Sequence, residues 1–480
     1  MRITAVAARN SAFVLGAQVL LKVLAFLFNI YVVRTLGAAH FGRYSTVMAY
    51  ITILSIFSDF GMAPYAMREM SEDPERTARL LPNVIAMRGL LSLAIIGVAP
   101  LSAIGMGQEA DMTMGILLAS MGLLLYAFQG PLEGALTARE RLDYIAAYTV
   151  ANQILFWVTG VFLLVRGFGF IGLIIASWVG VATSALLSAR ALCRLNIGKL
   201  RLDIRQWPKL VRASVPFGVS SLADALVRQF DTVFIFVILT DAAAGWYSVS
   251  HNLILILLLL AQSISTALYP SLVRGYARDR QILEQIVPRA IKYLLVICLP
   301  IALGSTVLAE RIIITLYGAE FAPSIPVLRV VLWALPAMFV LEVVVRVALM
   351  LHLERRAATI DLVNASITVA LNLILIPALG IMGAALAFVL GRSIRLGQYV
   401  ALLGLRRLLG ERWMSLIRVM AAGLLMTLII YPLRQNLPVS IGVGIASYGL
   451  LLLVLGGVDR AEIALLTRAL LQPSRQSPTR

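Results

Sequence analysis

Residues 214–240 read SVPFGVSSLADALVRQFDTVFIFVILT, and this stretch decides the fold class. It is long enough to cross a bilayer, and its second half is almost wholly apolar. Its middle carries Asp224, Arg228 and Asp231 at i, i+4 and i+7, a spacing that places all three on one helical face. A charge at mid-membrane costs about 2.5–3.5 kcal/mol, so three facing lipid would cost roughly 8–10 kcal/mol. This face must look at protein or at a water-filled cavity.

The rest of the chain agrees with a membrane setting. Its 480 residues are 60% hydrophobic and 14% charged, against about 45–50% apolar and about 25% charged in soluble domains. Apolar segments of spanning length recur at 11–33, 41–63, 81–104, 112–131, 144–165, 169–189, 214–239, 246–270, 288–309, 325–350, 358–377, 380–403, 413–433 and 437–457. The expectation is an all-α polytopic membrane protein of about fourteen transmembrane helices. Residues 1–35 open like a secretory signal, with Arg2 and Arg9 before an apolar run. The run is too long for one and lacks a clear small-residue cleavage site, so it is read as the first span. Cys193 and Cys298 lie far apart and offer no disulfide framework; His40, His251 and His352 are too scattered for a metal cluster.

Loop charge gives a direction. An even number of spans puts both termini on one side, and 30 of the 41 Lys and Arg fall there, against five (Arg34, Arg43, Arg166, Arg311 and Arg434) on the other. The positive-inside rule then makes both termini cytoplasmic and the location the cell (inner or plasma) membrane. The same asymmetry explains the net charge of +17 without nucleic acid, although anionic lipid headgroups would also be attracted. The basic inner loop 190–213 divides the chain.

An internal repeat supports that division. Gly42-Arg-Tyr44-Ser45 recurs 203 positions later as Gly245-Trp-Tyr247-Ser248, and Gly169-Phe-Ile-Gly172 recurs 211 positions later as Gly380-Ile-Met-Gly383. Span 1 thus pairs with span 7, and span 6 with span 12. The expected organisation is a six-helix half over 1–189, a basic cytoplasmic linker over 190–213, a second six-helix half over 214–410, an extra helix pair over 411–457 and a cytoplasmic tail over 458–480. With six spans each, the halves keep one orientation and are related by an axis along the membrane normal.

Polar side chains within the spans fall in stripes. Span 1 carries Ser11, Gln18, Lys22 and Asn29 on one face, and span 11 carries Asp361, Asn364, Thr368 and Asn372. Glu342 and Arg346 are i, i+4 in span 10. Arg88 lies in span 3, His251 begins span 8, and Arg392 sits with Arg395 in span 12. Lys22 and Arg88 have no acidic residue at i±3 or i±4, and a cation facing a cavity suits an anionic substrate. Each of the others has two readings. Glu342 with Arg346 is either a structural ion pair or part of a site. Asp224 and Asp231 are either coupling groups or counter-charges to Arg228. Asp59 and Asp361 are either interfacial or functional, and His251 either packs or carries a proton.

Three motif matches lack their context. Gly167-Phe-Gly169-Phe-Ile-Gly172 joins two apolar spans and follows no strand; Asp59-Phe60-Gly61 has no kinase surroundings; Asn364-Ala-Ser366 lies inside a span. No phosphate-binding G-x-x-x-x-G-K-[ST] occurs, so the chain carries no ATPase of its own.

Several stretches resemble a known family. Arg34-Thr-Leu-Gly37 with Phe41-Gly42-Arg-Tyr44, then Asp59-Phe-Gly61, Arg68-Glu69 and Ser71, resemble the start of Wzx-type oligosaccharide flippases, the polysaccharide transport family of the MOP superfamily that also holds the MATE exporters. Asp231 with Ala244-Gly245-Trp-Tyr247-Ser248, Leu268-Tyr-Pro270, Leu316-Tyr-Gly318 with Leu328, and Asn372-Leu-Ile-Leu-Ile-Pro377 through Ala385 look like the same family's second half. The resemblance runs from about residue 10 to about residue 410. Lipid II flippases share the span number, but this N-terminus does not look like theirs; MATE exporters usually have two spans fewer.

The resemblance implies a V-shaped alternating-access fold. It implies a flippase that moves an undecaprenyl-diphosphate-linked oligosaccharide, an O-antigen or exopolysaccharide repeat unit, from the cytoplasmic to the outer leaflet. Polysaccharide polymerase and chain-length proteins are the implied partners. A diphosphate lipid needs a cationic cavity, and Lys22, Arg88, Arg228, Arg346 and Arg392 are the candidate cations. Gln18, Asn29, Asn364 and Asn372 are candidate lining for sugar hydroxyls. Asp224, Asp231, Glu342 or His251 is the candidate coupling group for a proton or Na⁺ gradient, with no other cofactor and no metal. The competing readings are an ion-coupled drug or metabolite antiporter, which predicts a carboxylate-dominated cavity, and a membrane enzyme of the same pathway, for which the short outer loops leave little room.

Overall fold

The computed structural model describes residues 2–195, 201–278, 282–404 and 413–457, with side chains from residue 21 onward except at 267–268, 270–271, 274–285 and 413. The described chain is helical throughout. In order it forms α1 (Arg2–Asp59), α2 (Met62–Glu72), α3 (Thr77–Gly105), α4 (Ala110–Ala138), α5 (Leu142–Val165), α6 (Gly169–Arg194), α7 (Trp207–Ile238) and α8 (Asp241–Arg278). There follow α9 (Ile282–Tyr317), α10 (Ser324–Val331), α11 (Leu335–Met350), α12 (Glu354–Leu379), α13 (Ile381–Leu403), α14 (Trp413–Ile430) and α15 (Leu437–Val454). The tail 458–480 and the linker residues 196–200 lie outside the described residues.

Twelve described helical stretches are long and apolar enough to cross a membrane. The fourteen expected spans map onto them with two differences. The first two spans run together as α1, and α7, with its three charges, is not among the twelve. The tenth span is α10 and α11 joined by a tight 3₁₀ turn, Leu332–Ala334. Many large apolar side chains point outward, among them Leu101 at 68% exposure and Ile445 at 72%. Apolar exposure on that scale suits lipid, not water. This is a multi-pass membrane protein.

α1 is kinked at Gly37, where φ 72° and ψ 176° are accessible only to a residue without Cβ. The kink separates the two expected spans without a loop. A left-handed turn at Phe60 and Gly61 then ends the helix, and the Asp59 carboxylate caps α2 by accepting from the Ala63 amide at 3.0 Å. The segment expected as a loop from 64 begins instead with α2, whose Met62, Ala66 and Met70 share one buried face.

Contacts group the chain into two compact units. One comprises 31–248 and 361–384, the other 1–30, 249–360 and 385–480. In the first, α3, α4, α5 and α6 form a bundle, with α2 and the start of α7 packed at one end over a core of Met62, Met70, Val84, Leu136, Leu192 and Leu210. In the second, α9 packs against α10, α11, α14 and α15. Tyr448 fastens α15 there, donating to the Val296 carbonyl at 2.7 Å.

The first unit brings the repeated glycine motifs face to face. A Cβ on Gly42 would lie 1.8 Å from the Asp241 carbonyl oxygen, and a Cβ on Gly245 would lie 2.1 Å from that of Ala38. Ala38 precedes Gly42 by four residues, as Asp241 precedes Gly245. The contact is therefore reciprocal, with each motif copy docked on the other's preceding turn. α1 leans on the start of α7 as well, where a Cβ on Gly61 would lie 2.3 Å from the Gly218 nitrogen.

Candidate functional site

The opening stretch separates into two environments. Arg228 donates from Nε to Asp224 at 2.8 Å, and their side chains are 52% and 63% exposed. Asp231 faces elsewhere. It is 4% exposed and accepts from the Thr232 amide at 2.7 Å and from the Tyr247 hydroxyl. Three charges on one helical face thus become an exposed pair and a buried carboxylate tied to α8. Tyr247 belongs to the repeated Gly245-Trp-Tyr-Ser motif, so the second motif copy both crosses α1 and holds Asp231.

Arg88 is buried at 8% exposure, with Nε 3.1 Å from Asp59 Oδ1. The absence of a carboxylate holds only along its own helix, because the partner comes from the end of α1. Nε and Nη1 nevertheless have no aligned hydrogen-bond acceptor. A buried guanidinium without full pairing is costly, and an anion that supplies acceptors would relieve that cost. Gly130 makes its room, since a Cβ there would lie 2.6 Å from Nη1. Gly130→Val is therefore expected to displace the guanidinium and lower transport about as much as Arg88→Gln does, checked by transport assays on both variants at matched expression.

On α12, Asn364, Thr368 and Asn372 are buried, and Asn364 Oδ1, Thr368 Oγ1 and Asn372 Oδ1 lack hydrogen-bond partners among the described residues. A column of unfilled acceptors inside a membrane helix is ready for donors from a ligand.

In the other unit, Lys22 is exposed and has no ion pair among the described residues; Asn29 is half-buried, and the Gln18 side chain lies outside the described residues. Arg346 Nη2 lies 3.5 Å from Glu342 Oε2 and donates to Thr266 Oγ1 at 3.1 Å. Gln262 donates to Glu342 Oε1 at 3.4 Å, and Ser265 donates to the Glu342 carbonyl at 2.8 Å. Phe388 gathers two more candidates. The Arg392 guanidinium lies 5.1 Å from its ring centre, and the buried His251 meets it edge-on at 5.1 Å. Among the described residues no group of three His, Cys, Asp or Glu is placed to hold a metal ion.

The sequence reading missed one cluster. Arg43, counted only as a loop charge, pairs with Asp241, with Glu109 at 2.6 Å and with Asp111 at 4.0 Å. It locks the glycine crossing from its edge. The signal was present, since Arg43 follows the first motif glycine and Asp241 stands four residues before the second.

Comparisons with known proteins agree with this architecture. The family model described as "Polysaccharide biosynthesis protein" matches residues 7–276. The "Probable low-salt glycan biosynthesis flippase Agl15" of Haloferax volcanii is 23% identical over 392 residues, covering 81% of each chain. The "Probable flippase AglR" of the same organism is 25% identical, covering 95% of this chain and 97% of its own. Among solved structures, the lipid II flippase MurJ in an inward closed conformation superposes with TM-score 0.75 at 15% identity, covering 96% of this chain and all of that one. An inward-facing multidrug MATE transporter of the MOP superfamily gives 0.59 at 16% identity, covering 79% and 94%.

Proposed function

The chain belongs to the polysaccharide biosynthesis protein family, and from that premise we propose that it flips a polyprenyl-diphosphate-linked oligosaccharide, an O-antigen or exopolysaccharide repeat unit, from the cytoplasmic to the outer leaflet. It is a transporter of the MurJ/MATE-like fold and not an enzyme. The name of one Haloferax relative, a probable low-salt glycan biosynthesis flippase, supports a glycan substrate, and that of the other, a probable flippase, supports the flipping step.

One observation carries the reading. Midway along α7, Asp224 and Arg228 are more than half exposed, in a chain that turns many large apolar side chains outward. Hydrocarbon does not accept such a pair at that depth, so the face borders an aqueous, cation-bearing space. A diphosphate needs that environment, because its charge cannot enter lipid and its sugar cannot leave water.

In the proposed cycle Arg228 exchanges Asp224 for the diphosphate. Lys22, Arg88, Arg346 and Arg392 supply further positive charge, and Asn29, Asn364 and Asn372 meet sugar hydroxyls. The two six-helix repeats alternate access, with both termini cytoplasmic, driven by a proton or Na⁺ gradient through Asp231. Asp231 suits coupling better than Asp224, because it is buried and held by neutral donors instead of a cation.

The decisive experiment is deletion of the gene. Undecaprenyl-diphosphate oligosaccharide should accumulate in the inner leaflet; an unchanged lipid pool with altered drug sensitivity would select the antiporter instead. Lys22→Ala, Arg88→Ala and Arg228→Ala should each lower export about 10–100-fold, the worth of one charge-assisted hydrogen bond of about 1.5–3 kcal/mol. Export that survives all three in well-expressed protein would remove the cationic cavity from the mechanism.

A further inference from the structure

A polar cavity not lined by these groups lies inside the unit 31–248 with 361–384. Its volume is about 350 Å³, and it is lined by Tyr65 and Glu69 of α2, by Arg76, Arg79 and Asn83 at the start of α3, and by Gln206 and Lys209 at the start of α7. Its walls are built by one buried side chain. Asn83 is 3% exposed; its Nδ2 donates to the Arg79 and Arg201 carbonyls, and its Oδ1 accepts from the Asp203 amide and the Trp207 indole, all within 3.1 Å. Linker residues 201–207 are thereby held against the start of α3 beside the cavity.

Its charge is unbalanced. Three cations line it against one carboxylate. Glu69 is already bound to Arg76, which also holds Asp73 at 3.1 Å. Arg79 stands 3.9 Å from Asp203, too far for a direct hydrogen bond, and Lys209 makes no ion pair among the described residues. Lys209 therefore faces the opening uncommitted, and Arg79 is held only by a long, solvent-exposed pair with Asp203. The starts of α3 and α7 lie at the same end, the part of a helix where anions are favoured and cations are not. The cavity sits where the apolar runs of both helices begin, which is headgroup depth.

We propose that this cavity binds a phosphate group, as presented by an anionic lipid headgroup or by a soluble phosphate. Arg79 and Lys209 contact the phosphate oxygens, and Tyr65 forms the wall; Gln206, in the lining, already donates to Asp203. The bound anion would join α3 to α7, the opening helix of the second repeat, and so favour the arrangement in which their starts are adjacent. The proposal rests on the cavity alone and does not depend on the transport reading.

The test uses the full chain in detergent, with native mass spectrometry against phosphatidylglycerol, phosphatidylcholine and inorganic phosphate. Phosphatidylglycerol should bind better than phosphatidylcholine, and the Arg79→Gln/Lys209→Gln double variant should lose about thirtyfold in affinity, on a worth of about 1 kcal/mol per basic residue near an anionic headgroup. The control Arg355→Gln/Arg356→Gln, at an exposed basic pair elsewhere, should lose little. Competition by millimolar inorganic phosphate would identify the free anion as sufficient; its failure with retained lipid binding would identify the headgroup. A photoreactive phosphatidylglycerol cross-linked to the unaltered protein should label 65–83 or 206–210, which keeps the test alive if the double variant misfolds. Equal affinity in both double variants, or labelling only elsewhere, overturns the proposal.

Discussion

Alanine at either Gly42 or Gly245 is expected to open the helix crossing and stop export. The new methyl would lie 1.8 Å or 2.1 Å from a backbone carbonyl oxygen, far inside contact distance, and a carbonyl within a helix cannot swing aside as a side chain can. The helices must separate. Overpacking of this kind costs typically about 1–3 kcal/mol, which lowers occupancy of the crossed arrangement about 5–150-fold. Because both methyls force the same separation, the double variant should be little worse than either single one. A cysteine at Ala38, now 2% exposed, reads the separation in protein lacking Cys193 and Cys298. It should resist an impermeant maleimide with both glycines intact and react once either is alanine. Resistance in the Gly42→Ala protein would show that the crossing tolerates a methyl.

The second large effect is expected at Asp231. Asp231→Asn preserves shape but removes the charge that the Tyr247 hydroxyl and the Thr232 amide stabilise. Hydrogen bonds to a charged group are worth about 1.5–3 kcal/mol, so gradient-driven transport should fall about 10–150-fold. Asp224→Asn should cost less than about fivefold, because exposed ion pairs are worth about 0–1 kcal/mol. Transport in vesicles with and without an imposed proton or Na⁺ gradient separates coupling from binding. Loss of the gradient's benefit in Asp231→Asn alone supports coupling there; equal losses at Asp224 and Asp231 would return both to the role of counter-charges.

The helical membrane architecture was legible because hydropathy over about twenty residues is a local property. The polar stripes were legible for the same reason, since spacing along one helix fixes which residues share a face. What each stripe meets was not legible. Asp59 reaches Arg88 from 29 positions away, and Tyr247 reaches Asp231 across a turn between helices. Periodicity within one element cannot supply such partners. The kink at Gly37 also escaped, because a single glycine in an apolar run reads equally as helix interior or helix end. Helix α2 escaped because its buried methionine face spans only eleven residues in a charged stretch. The glycine motifs were found as markers of duplication; that they would meet each other required coordinates.

That meeting has a thermodynamic consequence. Where two backbones touch through glycine, closing the contact immobilises no side-chain rotamers and so carries little of the usual entropic penalty. The side chains that flank the glycines, Phe41, Ala244 and Tyr247, are buried and supply the apolar packing of the two motifs. Arg43 and its three carboxylates add charge pairs at the edge of this crossing, of which Glu109 and Asp111 are 72% and 75% exposed. Exposed charge pairs weaken as the screening length shortens, from about 10 Å at 0.1 M salt to about 3 Å at 1 M. On the proposed topology these groups face the outside. The ionic strength of the medium on that side would then weaken the charge pairs at the crossing while leaving its buried packing untouched.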